Sequence, residues 1–121
     1  MASRTIIGNL AADPEVRTAG SIQITKLRVV ENTGEMRKGE WYTHPNSTTH
    51  FVEAKFSLGE NAAATLHSGD AVIVVGDERS ESWGDEGSKS YGRVITAKHI
   101  GPDLERAIAQ VKRTTRVDDG Q

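Results

Sequence analysis

Trp41 and Trp83 are the residues of this chain best suited to chemistry with a flat ligand. All six aromatics lie between Trp41 and Tyr91, and none is needed to build the apolar segments, which are made of Ile, Val, Leu and Ala. Trp41 sits in a polar stretch with Gly34 and Gly39, and Trp83 at a polar tip beside Gly84-Asp85-Glu86-Gly87. A Trp in such a place either caps the edge of a core or stacks on a planar group. Two of them in separate loops favour stacking, which for a nucleobase is worth about 1–3 kcal/mol and carries no sequence preference. Cations supply the complementary chemistry. Residues 1–30 hold Arg4, Arg17, Lys26 and Arg28 against Asp13 and Glu15 alone, and Lys55, Arg79 and Arg93 follow. Between residues 77 and 87 the sign reverses, with Asp77, Glu78, Glu81, Asp85 and Glu86 facing only Arg79.

Other chemistries find less support. His44, His50, His67 and His99 match no metal-ligand spacing, and no Asp or Glu stands consistently beside them. There is no cysteine, so neither a disulfide framework nor a thiolate site can form. No nucleophile-elbow context surrounds any Ser, and no spaced carboxylate cluster points to a metal-dependent nuclease. No cofactor and no metal are expected. The formal net charge is −2, so no global field draws in a polyanion, and phosphate must be met by a local patch.

The elements that would position these groups are mostly strands. One domain is expected from 121 residues. Residues 4–10 read as a strand, interrupted at Asp13-Pro14, where the ring fixes φ and pushes Asp13 out of the helical region. A turn at Ala19-Gly20-Ser21 leads to a second strand in which Ile22, Ile24, Leu27 and Val29 alternate, with one slip between Thr25 and Lys26 that predicts a bulge. Residues 32–47 read as a polar loop and Thr49–Phe56 as a third strand. Asn61–Leu66 has helical composition and stops before Gly69. Ala71–Gly76 is a buried strand by its β-branched run, continuing to Trp83; Gly84–Gly87 is a hairpin signal, and Ser90–Ile100 the last strand. After Gly101-Pro102 the period changes, and Leu104, Ala107, Ile108 and Val111 predict a short helix. Residues 114–121 have no periodicity and read as frayed. The order predicts an all-β fold, a five-stranded barrel with one short helix between its third and fourth strands.

Several motifs carry a likeness to a known family. Gly8-Asn9-Leu10, then Asp13-Pro14-Glu15-Val16-Arg17, resembles the first strand of bacterial single-stranded DNA-binding proteins. Thr48-Thr49-His50-Phe51-Val52-Glu53-Ala54-Lys55-Phe56 resembles that family's Trp-His-x-Val-x-x-Phe third strand. Ser80-Glu81-Ser82-Trp83 with Tyr91 resembles its Arg-x-Trp/Phe…Tyr hairpin, and Gly101-Pro102-Asp103-Leu104 the Ile-Gly-Pro-x-Leu exit of actinobacterial members. The likeness covers about residues 5–104. It departs at three places: His50 stands where the family carries a stacking Trp, Ser57-Leu58-Gly59 replaces Gly-Lys, and the hairpin is acidic. The chain therefore looks like a diverged paralogue or a phage-encoded member.

The resemblance implies an oligonucleotide-binding barrel (OB fold) over residues 1–104, with residues 105–121 as a helical extension and tail. It implies non-enzymatic binding and protection of single-stranded DNA in replication, repair or recombination. Phe56, Trp83 and Trp41 are then the expected stacking residues, with His50 and Tyr91 beside them. Arg17, Lys26, Arg28, Lys55, Arg79 and Arg93 are the expected phosphate contacts. A homotetramer, built on an unpaired edge of Ser3–Leu10, is implied as well. An adaptor module with the same barrel and lost DNA affinity is the alternative, favoured by the acidic loops. The longest apolar run, Ala71–Val75, is too short for a membrane span, and no signal pattern opens the chain, so a cytoplasmic, nucleoid-associated protein is expected. The family's long linker and acidic tip with a terminal apolar residue have no counterpart in Arg116-Val117-Asp118-Asp119-Gly120-Gln121, so tail-dependent protein partners are not expected.

Overall fold

The computed structural model describes residues 2–31, 34–43, 47–83 and 90–114. Eight strands and one helix follow in the order β1 (Ala2–Leu10), β2 (Glu15–Ala19), β3 (Ile22–Glu31), β4 (Gly34–Arg37), β5 (Glu40–Thr43), β6 (Thr48–Lys55), α1 (Phe56–Thr65), β7 (Ala71–Trp83) and β8 (Ser90–Pro102). The main sheet has the order β1-β7-β8-β6-β3-β2, and β1 also pairs with β3, which closes it into a barrel. Every pairing is antiparallel except β6 with β8. β1 and β2 form one strand of that barrel, broken at Asp13-Pro14 where the sequence predicts the kink. The barrel thus has five strands with the helix between the third and fourth.

Alternation decides what fills it. Ile6 and Leu10 of β1, Leu27 and Val29 of β3, Val52 and Ala54 of β6, Val72 and Val74 of β7, and Ile95 and Ala97 of β8 point inward and form one core. Burying each of the larger ones contributes about 1.5–3 kcal/mol. Ala62 and Leu66 from α1 and its C-terminal cap close one end.

Four expectations need correction. β3 has no bulge: its register is continuous against both β2 and β6. The apparent slip arises because Thr25, not Ile24, faces inward; Thr25 is fully buried and its hydroxyl donates to the Gly59 carbonyl at 2.8 Å. The register shift lies instead in the β7–β8 ladder at Val75/Gly76, where Val75 pairs with His99 but Gly76 with Ala97. Residues 34–43, read as loop, form a two-stranded ribbon whose turn residues Lys38 and Gly39 both have positive φ, 48° and 82°. That is the backbone a two-residue hairpin turn needs, and Gly adopts it without strain.

Phe56 is not the end of the third strand but the first residue of α1, with φ at 57°. The helix starts five residues early because Gly59 lets it pack directly on β6; a Cβ there would lie 2.5 Å from the Ala54 carbonyl oxygen. Finally, residues 103–114 contain no helix. Leu104, Ile108 and Val111 are 58%, 100% and 91% exposed. An eight-residue helix is marginal in water without a packed face, and here that face meets nothing. The hairpin signal Gly84–Gly87 and the tail 115–121 lie outside the described residues.

Candidate nucleic-acid interface

The outer wall of the barrel is built by the residues that alternate with the core. On β6 these are Phe51, Glu53 and Lys55, and their neighbours on β3 are Arg28, Lys26 and Ile24. On the other side, Phe51 aligns with Val94 of β8 and Glu53 with Thr96. Glu15 of β2 pairs with Lys26, and Arg17 with Ile24, so the kinked first strand brings its cation to the same wall. Together they shape an open groove of about 490 Å³ lined by Arg17, Lys26, Arg28, Phe51 and Val94 together with Asp13, Glu15, Glu53 and Glu81.

Phe51 is the aromatic that lines the groove among the described residues. It is 48% exposed, while Val94 beside it is buried at 7% without belonging to the inner core. Sequence reasoning missed Phe51 and chose His50 and Phe56 from the same strand. The signal was present: once Val52 and Ala54 are inward, a period of two puts Phe51 outward and His50 inward. His50 is 8% exposed and faces Val29 across the ladder. Its Nε2 lies 3.2 Å from the Glu31 carboxylate. Burial and this partner take His50 off the exposed wall.

The groove's cations are mostly engaged. Arg17 donates from Nε to Glu15 at 2.7 Å, and this holds the Glu15 carboxyl below its ordinary range. Lys26 Nζ lies 3.8 Å from Glu53, whose other oxygen accepts from Arg79 at 3.3 Å. Arg79 also donates to the Thr96 hydroxyl at 2.5 Å and lies 3.6 Å from Glu81. Arg28 and Lys55 make no ion pair among the described residues. Among the described residues three cations and four carboxylates line the groove, so their summed charge is close to neutral.

The remaining expected site residues lie elsewhere. Arg93 is at one end of the barrel, where it and Arg4 converge on Glu78 at 3.5 and 3.7 Å. Phe56, 56% exposed, stands at the start of α1. Trp41 is on β5 opposite Met36 and borders a different concavity, with Ile7, Asn9, Asp70 and Arg106. Arg37 packs over Tyr42 beside it, 4.9 Å from the ring centre. Trp83 and Tyr91 belong to the outer end of the β7–β8 ladder, where Trp83 pairs with Ser90 and Tyr91 with Ser82; their side chains lie outside the description, as does His44. Among the described residues no group of His, Asp and Glu could hold a metal ion, and no helix is long and apolar enough to cross a membrane.

Known proteins share both the sequence pattern and the barrel. The family described as "Single-strand binding protein family" matches residues 1–103. The chain is 33% identical over 118 residues to the single-stranded DNA-binding protein of Paenarthrobacter aurescens, covering 93% of this chain and 67% of that one. It is 32% identical over 118 residues to the protein of the same name from Mycolicibacterium smegmatis, covering 93% and 70%. The crystal structure of the small single-stranded DNA-binding protein from Streptomyces coelicolor superposes with a TM-score of 0.77 at 26% identity, over 88% of this chain and 97% of that one. The second single-stranded DNA-binding protein of Mycobacterium smegmatis gives 0.65 at 29% identity, over 92% and 97%. The barrel is the oligonucleotide-binding fold, and the chain belongs to the single-strand binding protein family.

Proposed function

We propose that this chain binds single-stranded DNA without catalysis, laying the strand along the outer wall of β3, β6 and β8. The observation that carries this reading is the half-exposed Phe51 ring in an open groove edged by Arg17, Lys26 and Arg28. A ring presents a π-face to any base, and the cations flank it where a backbone would run. The same binding unit, residues 1–104, extends to Lys55, Arg79, Trp83 and Tyr91, with Trp41 and Phe56 at its margins. Its role is to protect exposed strands in replication, repair or recombination, in the cytoplasm and at the nucleoid.

The assembly proposed with it is a homotetramer. β1 is paired along Ala2–Asn9 with β7, but among the described residues only Asn9 and Leu10 on its other edge meet a strand, β3. An edge left open over most of a strand is a seam that a second copy can fill. Light scattering that finds a monomer at micromolar concentration overturns this part.

The near-neutral groove favours one competing reading, an adaptor barrel with weak DNA affinity. Titration of tryptophan fluorescence with a pyrimidine oligonucleotide at two salt concentrations separates the two. Saturable quenching supports DNA binding, and an unchanged signal together with unchanged anisotropy of a labelled oligonucleotide supports the adaptor. Each phosphate neutralised on a single strand contributes about −0.7 to the log–log salt slope. With most cations already paired, a shallow slope is expected.

A further inference from the structure

Lys26 stands between two carboxylates. The ladders set it opposite Glu15 of β2 on one side and opposite Glu53 of β6 on the other. Its Nζ lies 3.8 Å from one Glu53 oxygen. The other oxygen is 3.3 Å from Arg79, which also reaches Glu81 at 3.6 Å. The Glu53 side chain is only 16% exposed, whereas Glu15 and Arg17 pair in open solvent. The neighbouring rows of the wall differ. Arg28, opposite Phe51, and Lys55, opposite Ile24, make no ion pair among the described residues. Two cations of this wall are thus unpaired, and two are held by one mostly buried carboxylate.

We propose that Glu53 withholds Lys26 and Arg79 from phosphate and so limits how many phosphates the groove grips; this rests on the single-strand reading above. A phosphate reaching Lys26 must either share it with Glu53, meeting like charge at close range, or displace Glu53. Displacement strips a mostly buried carboxylate of its partners, which is costly because the charge is left with neither water nor a cation. The exposed Arg17–Glu15 pair carries no such penalty, since water takes the place of whichever partner leaves. Phosphates therefore fall on Arg28, Lys55 and Arg17. Arg79 is secured twice: without Glu53 it keeps Glu81, and without Glu81 it keeps Glu53.

The test is the salt dependence of oligo-dT binding, read as the log–log slope, in four chains: wild type, Glu53→Gln, Glu81→Gln and the double variant. Each phosphate newly gripped adds about −0.7 to that slope. Glu53→Gln frees Lys26 and leaves Arg79 with Glu81, so the slope steepens by about 0.7 and affinity at low salt rises roughly fivefold. Glu81→Gln alone removes a charge but frees no cation, so affinity rises slightly while the slope stays. In the double variant Arg79 is released too, and the slope steepens by about 1.4. That non-additivity separates withholding from a mere change of net charge, which would move the two single variants alike. An unchanged slope in a Glu53→Gln chain that still unfolds cooperatively, or equal steps from the two single variants, overturns the inference alone. Should Glu53→Gln fail to fold, the wild type decides by NMR. On adding oligo-dT the Arg28 side-chain Nε–H resonance is expected to shift while that of Arg79 stays, and an Arg79 shift as large as that of Arg28 overturns the inference. Failure of every chain to bind overturns the single-strand reading and this inference with it.

Discussion

The two faces of β6 carry the same alternation to opposite ends. Inward, His50, Val52 and Ala54 are at most 8% exposed, and Val52 and Ala54 join the core while His50 borders a second concavity with Arg4, Glu78 and Arg93. Outward, Phe51, Glu53 and Lys55 line or border the groove. Adjacent residues therefore answer to different demands. The one polar side chain on the inner face, His50, has the Glu31 carboxylate as its partner at 3.2 Å. The outer face carries a large apolar ring that the core does not use. What separates structure from function in this wall is parity along the strand rather than residue type.

The strongest break of that comparison comes from the inner face. Ile6→Ala, at a site 1% exposed on β1, is expected to lower stability by about 2–5 kcal/mol, measured by chemical denaturation, with oligonucleotide affinity of the folded protein unchanged. Loss of affinity without loss of stability would contradict the division between faces. Phe51→Ala tests the outer face. It is expected to weaken single-strand binding by about 1–3 kcal/mol while the denaturation midpoint moves little. If affinity survives, the ring is not a stacking platform.

His50→Ala sharpens the contrast between neighbours on one strand. Removing the ring leaves a void and the Glu31 carboxylate unpartnered, an expected stability loss of about 1–2 kcal/mol with affinity retained. A drop in affinity with stability intact would return His50 to the binding surface. The smallest effect concerns Glu15. The hydrogen bond from Arg17 favours its ionised form, so its carboxyl titrates below the ordinary Glu range. The sign follows: this interaction is intact above the unfolded Glu range and is lost as pH falls through the lowered folded value. Because both side chains are exposed, an NMR titration is the suitable readout rather than a melt. Arg17→Ala should return the Glu15 midpoint to the ordinary range, and no movement would remove Arg17 as the cause.

The barrel was legible because its signals are local. Pro14 breaks a strand by its own ring, and Val72, Val74, Ile95 and Ala97 alternate as half-buried strands must. The helix between the third and fourth strands showed in its alanines, although Gly59 extended it back to Phe56 through a packing contact no pattern reveals. The site was less legible because it depends on tertiary parity. The slip between Thr25 and Lys26 invited a bulge, yet the buried Thr25 hydroxyl, met by a carbonyl 34 residues away, explains it. Phe51 was hidden by the attraction of His50, which occupies the place of the family's stacking Trp, and of Phe56, which matches the Phe that ends the family motif. The expected helix after Leu104 failed for the opposite reason: its period is right, but periodicity supplies no surface to pack against.

The arrangement of β1, β7 and β8 has a mechanical consequence. Both outer strands run antiparallel to β7 and therefore parallel to each other, with Ala2 level with Glu78 and Pro102 level with Val72. Tension pulling β1 backward and β8 forward slides the strands along one another. It does not peel them open, so the ladder bonds share the load at once. Forced unfolding is governed by the unfolding rate rather than by equilibrium stability. A protein seated on a strand under strain would gain from that geometry: pulled between residues 2 and 103 it should resist far higher force than when pulled between residues 71 and 103, which unzips β8 from β7 one pair at a time.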